Sequence, residues 1–155
     1  MAASIGDAEI ASIILCHDQA RRLLNEKNET GSTPLHYASS KGHLEVHAYR
    51  CSINFSSQQM VRLLLENGAD VLVGNRYNQT PLHRAAALGH VSIIRTLVEA
   101  VPAKQRASMI DAKDTEGNTA LHVARQDGHE EAIAALLELG ARKDVVNAEG
   151  ERALI

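Results

Sequence analysis

The 155-residue sequence predicts an all-α solenoid, in which helix–turn–helix units stack side by side and hairpin-like turns join them. Three observations lead there. A tetrapeptide recurs as Thr33-Pro34-Leu35-His36, Thr80-Pro81-Leu82-His83 and Thr119-Ala120-Leu121-His122. Each copy runs through a short alanine-bearing stretch into Gly-His, at Gly42-His43, Gly89-His90 and Gly128-His129. A stretch with apolar residues one turn apart then follows: Val61, Leu64 and Leu65; Ile93, Ile94, Leu97 and Val98; Ile133, Leu136 and Leu137. That spacing is the signature of an amphipathic helix, and self-similarity of this kind marks a repeat array. Composition agrees, since one Phe, three Tyr and no Trp leave the core to Ala, Leu, Ile and Val, which suit thin, closely packed helical layers.

Each element has its local reason. Thr is a favoured N-cap for the first helix, and Pro fits the first turn, where its missing N–H costs nothing. The following alanines let neighbouring helices approach closely, and the glycine before each second histidine ends the helix. The two histidines of a copy lie seven residues apart, which predicts that they sit two turns apart on one short helix. Gly68 and Gly140 stand where a left-handed C-cap is wanted after the second helix. An Asx-x-x-Gly turn then leads to the next unit, as in Asn28 to Gly31 and Asp114 to Gly117. Asn78 takes the glycine's place in the turn from Asn75, a residue that tolerates positive φ.

The units are unevenly spaced. Thr33 to Thr80 is 47 residues, Thr80 to Thr119 is 39, and Thr119 to the corresponding Arg152 is 33. The expected division is a partial repeat 1–27, repeat 28–74 with an insert 47–60, repeat 75–113, repeat 114–146 and a partial repeat 147–155. The extra residues of the middle interval, around Val101 to Arg106, predict a longer finger, with Pro102 starting a new turn. The insert 47–60 has two readings: a tolerated loop between the helices, or a short intron translated in frame, since its removal restores the regular period. Ser56-Ser57-Gln58-Gln59 offers a Ser-x-x-Gln capping box to restart the second helix. Both ends read as cut, with Arg152-Ala153-Leu154-Ile155 in the tetrapeptide's place. A terminal repeat without a polar outer face leaves aliphatics exposed at ~1.5–3 kcal/mol each, so marginal stability, fraying or self-association is expected.

Several function classes are disfavoured. Sixteen basic against 19 acidic residues, net charge −3, give no broad field for nucleic acid. The cysteines, Cys16 and Cys51, lack metal or disulfide spacing. Reduced thiols in a cytoplasmic or nuclear protein follow. Met1 to Asp7 shows no secretory pattern, and no apolar run approaches the ~18 residues of a membrane span. H-E-x-x-H, G-x-S-x-G, Walker and G-x-G-x-x-G motifs are missing. Of eight histidines, six fall on repeat positions where imidazoles hydrogen-bond backbone. Asp127 and Glu130 flank His129 with no nucleophile beside them. A non-enzymatic chain without cofactor or metal is expected.

The tetrapeptide at a period of about 33 residues resembles the ankyrin repeat. Beyond that motif, three runs resemble the C-terminal two-thirds of the gankyrin-like family, chaperones of proteasome regulatory-particle assembly, in a fungal, truncated version. These are Glu66-Asn67-Gly68-Ala69-Asp70, the run from Tyr77 through His83-Arg84-Ala85-Ala86, and Asp114-Thr115-Glu116-Gly117-Asn118-Thr119-Ala120-Leu121-His122. The resemblance covers most of residues 2–155 except the insert. It implies a protein-binding module whose partner is the C-terminal domain of a proteasomal ATPase subunit, with a generic ankyrin adaptor or a non-functional gene product as alternatives. It also implies a groove lined by turn tips and the inner faces of first helices. On this chain those places include Lys41, Arg76, Tyr77, Arg84, Glu116 and Asp127. Their mixed signs suit pairing with a charged partner helix, and Arg84 and Tyr77 stand out because arginine and tyrosine are favoured interface anchors.

Overall fold

A computed structural model describes residues 24–41, 46–48 and 53–154. The half repeat expected before residue 24, Gly42-His43 and both cysteines lie outside these residues. In chain order the described elements are α1 (Pro34–Lys41), β1 (Val46–Ala48), β2 (Ile53–Phe55), α2 (Ser57–Glu66), α3 (Pro81–Ala87), α4 (Val91–Glu99), α5 (Ala103–Ile110), α6 (Ala120–Gln126) and α7 (Glu130–Glu138). Helices α1, α3 and α6 pack in sequence as one layer, and α2, α4 and α7 as a second. Each repeat pairs one helix from either layer: α1 with α2, α3 with α4, α6 with α7. This is the stacked all-α solenoid that the periodicity predicts.

The first layer is held close by small residues, with Ala38, Ala85, Ala86 and Ala124 buried beside Leu35, Leu82 and Leu121. Larger aliphatics fill the space toward the second layer, where Val61, Leu64, Ile94, Leu97 and Leu136 are buried. Helix α2 closes in a Schellman motif, with Ala69 N–H donating to the Leu64 carbonyl and Gly68 N–H to that of Leu65. Helix α3 closes in the same way, through His90 N–H to Ala85 and Gly89 N–H to Ala86. Its glycine turns the chain before His90, which is the N-cap of α4. The two histidines of a repeat therefore stand on different elements, not on one helix as their spacing suggests. The first helix is simply too short, ending at Ala87.

The turns form a second line of contact between repeats. Asn28, Asn75, Asp114 and Asn147 each accept two backbone N–H groups on one side-chain oxygen, from the residues two and four positions on. Successive tips are joined by backbone hydrogen bonds: Arg76 N–H to the Thr30 carbonyl, Thr115 N–H to Tyr77, and Ala148 N–H to Glu116.

Buried histidines tie each repeat to the next turn. His36 Nδ1 accepts from the Thr33 N–H at 3.1 Å, and its Nε2–H donates to the Gln79 carbonyl at 2.8 Å. His83 repeats this with Thr80 at 3.2 Å and Asn118 at 3.0 Å, and His122 with Thr119 and Glu151, each at 3.2 Å. An Nδ1 that accepts from an amide carries no proton, so each ring is the neutral Nε2–H tautomer. The second histidines work along the first layer: His129 Nε2–H donates to the Ala87 carbonyl and His90 Nε2–H to that of Ser40.

Two segments go beyond the expected pattern. At the start of the insert, β1, which begins one residue before it, pairs antiparallel with β2, Val46 facing Phe55 and Ala48 facing Ile53. The helix then restarts where the sequence offers a cap. Ser56 Oγ accepts from the Gln59 N–H at 3.2 Å, and Gln59 Oε1 accepts from the Ser56 N–H at 2.8 Å. Ser57 and Met60, also from the insert, are buried in the first turn of α2. Between α4 and the Asp114 turn, the expected finger is instead a helix, α5. Pro102 occupies its N-cap, and Met109 and Ile110 are buried in the core. Arg106 Nε donates back to the Val101 carbonyl at 2.9 Å, so α5 helps close the end of α4.

One buried group is unsatisfied: Ser39 Oγ, in α1, has no hydrogen-bond partner among the described residues. Ala86 holds the same place in α3, three residues after the histidine. Because a buried hydroxyl without a partner costs ~1–3 kcal/mol, Ser39→Ala is expected to stabilise the chain by about 1 kcal/mol. A urea midpoint that stays put or falls would show that the hydroxyl is satisfied in solution.

Candidate functional site

Between the first two described turn tips and helices α1 and α3 lies an open hollow of about 500 Å³. Its wall on the turn side carries Thr30, Ser32, Asn75, Tyr77 and Gln79. Its wall on the helix side carries His36, Tyr37, Ser40 and Lys41 from α1, with Arg84 and Leu88 from α3 and its C-cap. The backbone behind it is fixed by the Asx turns and by the His36–Gln79 hydrogen bond.

Arg84 is half-buried, and its Nε donates to Ser40 Oγ at 3.1 Å. Ser40 Oγ in turn donates to the His36 carbonyl at 2.8 Å, which fixes where the guanidinium starts. Among the described residues, none hydrogen-bonds to its terminal nitrogens. Lys41 is exposed at the end of α1. Tyr77, 66% exposed, and Leu88, 43% exposed, supply apolar surface, while the Tyr37 hydroxyl accepts from Asn28 Nδ2 at 2.7 Å. Among the described residues, no carboxylate lines the hollow. Below it, burial pushes the His36 imidazole under its ordinary value; the Gln79 carbonyl opposes this, and Arg84 and Lys27 add to it.

Of the six expected site residues, the fold brings three to this hollow: Lys41, Tyr77 and Arg84. Arg76 is exposed on the adjoining turn tip. Glu116 is exposed on the next tip, where its Oε2 accepts from Asn118 Nδ2 at 3.2 Å, and Asp127 is the exposed C-cap of α6. These three stand outside the hollow. Sequence reasoning missed Tyr37 and Asn75, and gave His36 a structural role only, though it too lines the hollow. Tyr37 was findable by position: Tyr37, Arg84 and Val123 each follow the first histidine of their repeat, so naming Arg84 named its column. Among the described residues, no three His, Cys, Asp or Glu side chains gather to hold a metal ion, and no helix is long and apolar enough to cross a membrane.

Comparison with known proteins bears on what such a surface does. The family model described as "Ankyrin repeats (many copies)" matches residues 47–98, and the "Ankyrin repeat" model matches 116–149. A Saccharomyces cerevisiae protein, "Probable 26S proteasome regulatory subunit p28", is 31% identical over 167 aligned positions, covering 94% of this chain and 71% of the yeast protein. The chain belongs to the ankyrin-repeat family. Ankyrin repeats are protein-interaction units, and the repeat itself is not catalytic. Two other relatives share the repeats but little else of their length. A Caenorhabditis elegans homolog of "Transient receptor potential cation channel subfamily A member 1" is 32% identical over 86% of this chain, which spans 10% of that protein. "E3 ubiquitin-protein ligase XBAT33" of Arabidopsis thaliana is 34% identical over 80% of this chain, which spans 20% of it.

Proposed function

We propose that this ankyrin array is a gankyrin-like chaperone that acts by binding rather than catalysis and holds the C-terminal domain of a proteasomal ATPase subunit during regulatory-particle assembly. The observation that carries this reading is the extent of the match to the yeast proteasome regulatory subunit. It runs through nearly all of this chain and most of that protein, whereas the channel and ligase matches involve small portions of much longer proteins. The working units begin at Asn28, Asn75, Asp114 and Asn147, and the hollow between the first two is the centre of the docking groove. Lys41, Tyr77 and Arg84 contact the partner there; Arg76, Glu116 and Asp127 extend the contact along the tips and inner helix ends. Cytoplasm and nucleus are the compartments consistent with this role.

Binding to purified C-terminal domains of the proteasomal ATPase subunits tests the reading. Wild type is expected to select one of them, and Arg84→Glu to weaken that complex about tenfold or more, roughly 1.4 kcal/mol, with the melting temperature nearly unchanged. Equal affinity for wild type and variant would remove Arg84 from the site. If wild type bound none of the domains, the chaperone role would fall, and an adaptor with another client would take its place. The channel and ligase relatives, at similar identity, show that these repeats occur in proteins of quite different name.

A further inference from the structure

Among the described helices, α5 is the one that the repeat pattern does not call for, and its sequence carries a motif that the docking groove leaves unused. Of its eight residues only Met109 and Ile110 are buried, while Ala103, Lys104, Gln105, Ala107 and Ser108 are exposed. Pro102, its N-cap, supplies no side-chain hydrogen bond. Arg106 is the tie: its Nε donates to the Val101 carbonyl and its Nη2 to that of Glu99 at 3.4 Å. So short a helix, held by two buried side chains and one arginine, opens locally at little cost. Ser108 lies in its last turn. Arg106 and Lys104 stand two and four residues before it, and the apolar Met109 follows directly. Kinases select substrates partly by the charge pattern around the hydroxyl, and cations upstream with an apolar residue downstream suit a basophilic serine kinase. The other described hydroxyls lack this combination. Thr33, Ser39, Ser57, Thr80, Thr96 and Thr119 are buried, and exposed Thr115 sits between Asp114 and Glu116. Asp111, three residues past Ser108, is half-buried and accepts from the Arg142 N–H at 3.2 Å, so it is engaged rather than presented.

We infer that Ser108 is a phosphorylation site for a basophilic serine kinase, and that its phosphate unwinds α5. In the transfer, Ser108 Oγ bonds to the γ-phosphorus of a nucleoside triphosphate and the bond from that phosphorus to the β-bridging oxygen breaks. The diphosphate leaves, and a base on the kinase takes the hydroxyl proton. The product carries a charge of about −1.5 to −2. It stands in the last turn of a helix, where the unpaired carbonyls already disfavour an anion. Asp111, one turn on, adds like charge. Lys104, one turn back, offsets little because the pair is exposed to solvent. Unwinding frees Arg106 from the Val101 carbonyl, so the end of α4 and the turn toward Asp114 loosen together. Helix α5 packs against α4, and none of this rests on the docking groove.

The test uses the full chain, magnesium, ATP and purified cAMP-dependent protein kinase. Incorporation of phosphate at Ser108, mapped by mass spectrometry, is expected, with none at that position in Ser108→Ala. Lys104→Ala with Arg106→Ala should slow labelling of Ser108 at least about tenfold. Losing Arg106 loosens α5 and bares Ser108 further, so damage to the fold cannot produce that slowing. In the phosphorylated chain, hydrogen exchange at Asp111 and Ala112, whose N–H groups donate to the Ala107 and Met109 carbonyls, should quicken at least about tenfold. No labelling, labelling only elsewhere, or equal rates in the double variant overturns the site. Faster labelling of Ser108 by an acidophilic kinase, which would be reading Asp111, overturns it as well. Unchanged exchange at Asp111 in the labelled chain overturns the unwinding.

Discussion

Replacing His83 by alanine is expected to lower stability by about 3 kcal/mol, seen as a fall in the urea midpoint. The imidazole is 1% exposed and satisfies two backbone groups at once, accepting from the Thr80 N–H and donating to the Asn118 carbonyl. Alanine removes the partner of each, and a buried polar group left unpaired costs ~1–3 kcal/mol. The ring's vacated volume adds to this. His83 also gives the chain an acid limit. Burial holds its pKa below the ordinary 6.5, while the Asn118 carbonyl and Asp114 pull it partly back. As pH falls, the unfolded chain therefore takes up the proton first. The contribution is complete above 6.5 and is lost as pH drops through 6.5 toward the lower folded value. His36 acts in the same sense. Stability measured from pH 7 down to 5 should decline in wild type and more gently in His83→Ala. Parallel curves would mean that the folded ring is free to protonate.

Gly117→Val should cost about as much, ~2–4 kcal/mol, at a single turn tip. Its φ is +78°, and a Cβ there would sit 2.9 Å from the Ala148 backbone nitrogen. A left-handed conformation costs an L-residue ~1–2 kcal/mol, and a β-branched one more. Relief by moving Ala148 would break its N–H bond to the Glu116 carbonyl, the link to the following tip. Asn78 supplies the control. It adopts φ 55° with a side chain, which projects to donate to the Lys113 carbonyl at 2.7 Å. At this turn the side chain is accommodated by a hydrogen bond to the next segment's backbone instead of a clash with it. Hydrogen exchange at Ala148 should quicken sharply in Gly117→Val; an unchanged rate with unchanged stability would refute the clash.

The features legible in the sequence were those set by local rules and stamped repeatedly: Thr caps, buried histidines, glycines and Asn78 in the turns. The Ser56–Gln59 cap was legible for the same reason, because its chemistry spans four residues. Helix α5 was not, since only Pro102 announced it and its apolar residues are confined to Met109 and Ile110 at the far end. The β1–β2 hairpin was equally hidden, with three residues a side too few to show an alternation. The histidine pair misled because seven residues fit two helical turns on paper, while the Gly89 turn intervenes in space. Arg84 and Tyr77 stood out by residue type and Lys41 by its place at a first-helix end, while Tyr37 was passed over because type does not reveal which places in successive repeats face the same way.

The His36–Gln79 bond lies directly behind the hollow, so the wall that a partner would grip is also the seam between two repeats. A segment touching Tyr37 on one side and Arg84 on the other works as a clasp, since neither repeat can peel away without surrendering it. Occupancy and cohesion of the seam are then reciprocal. If the hollow is the docking surface, filling it tightens the joint between the two repeats.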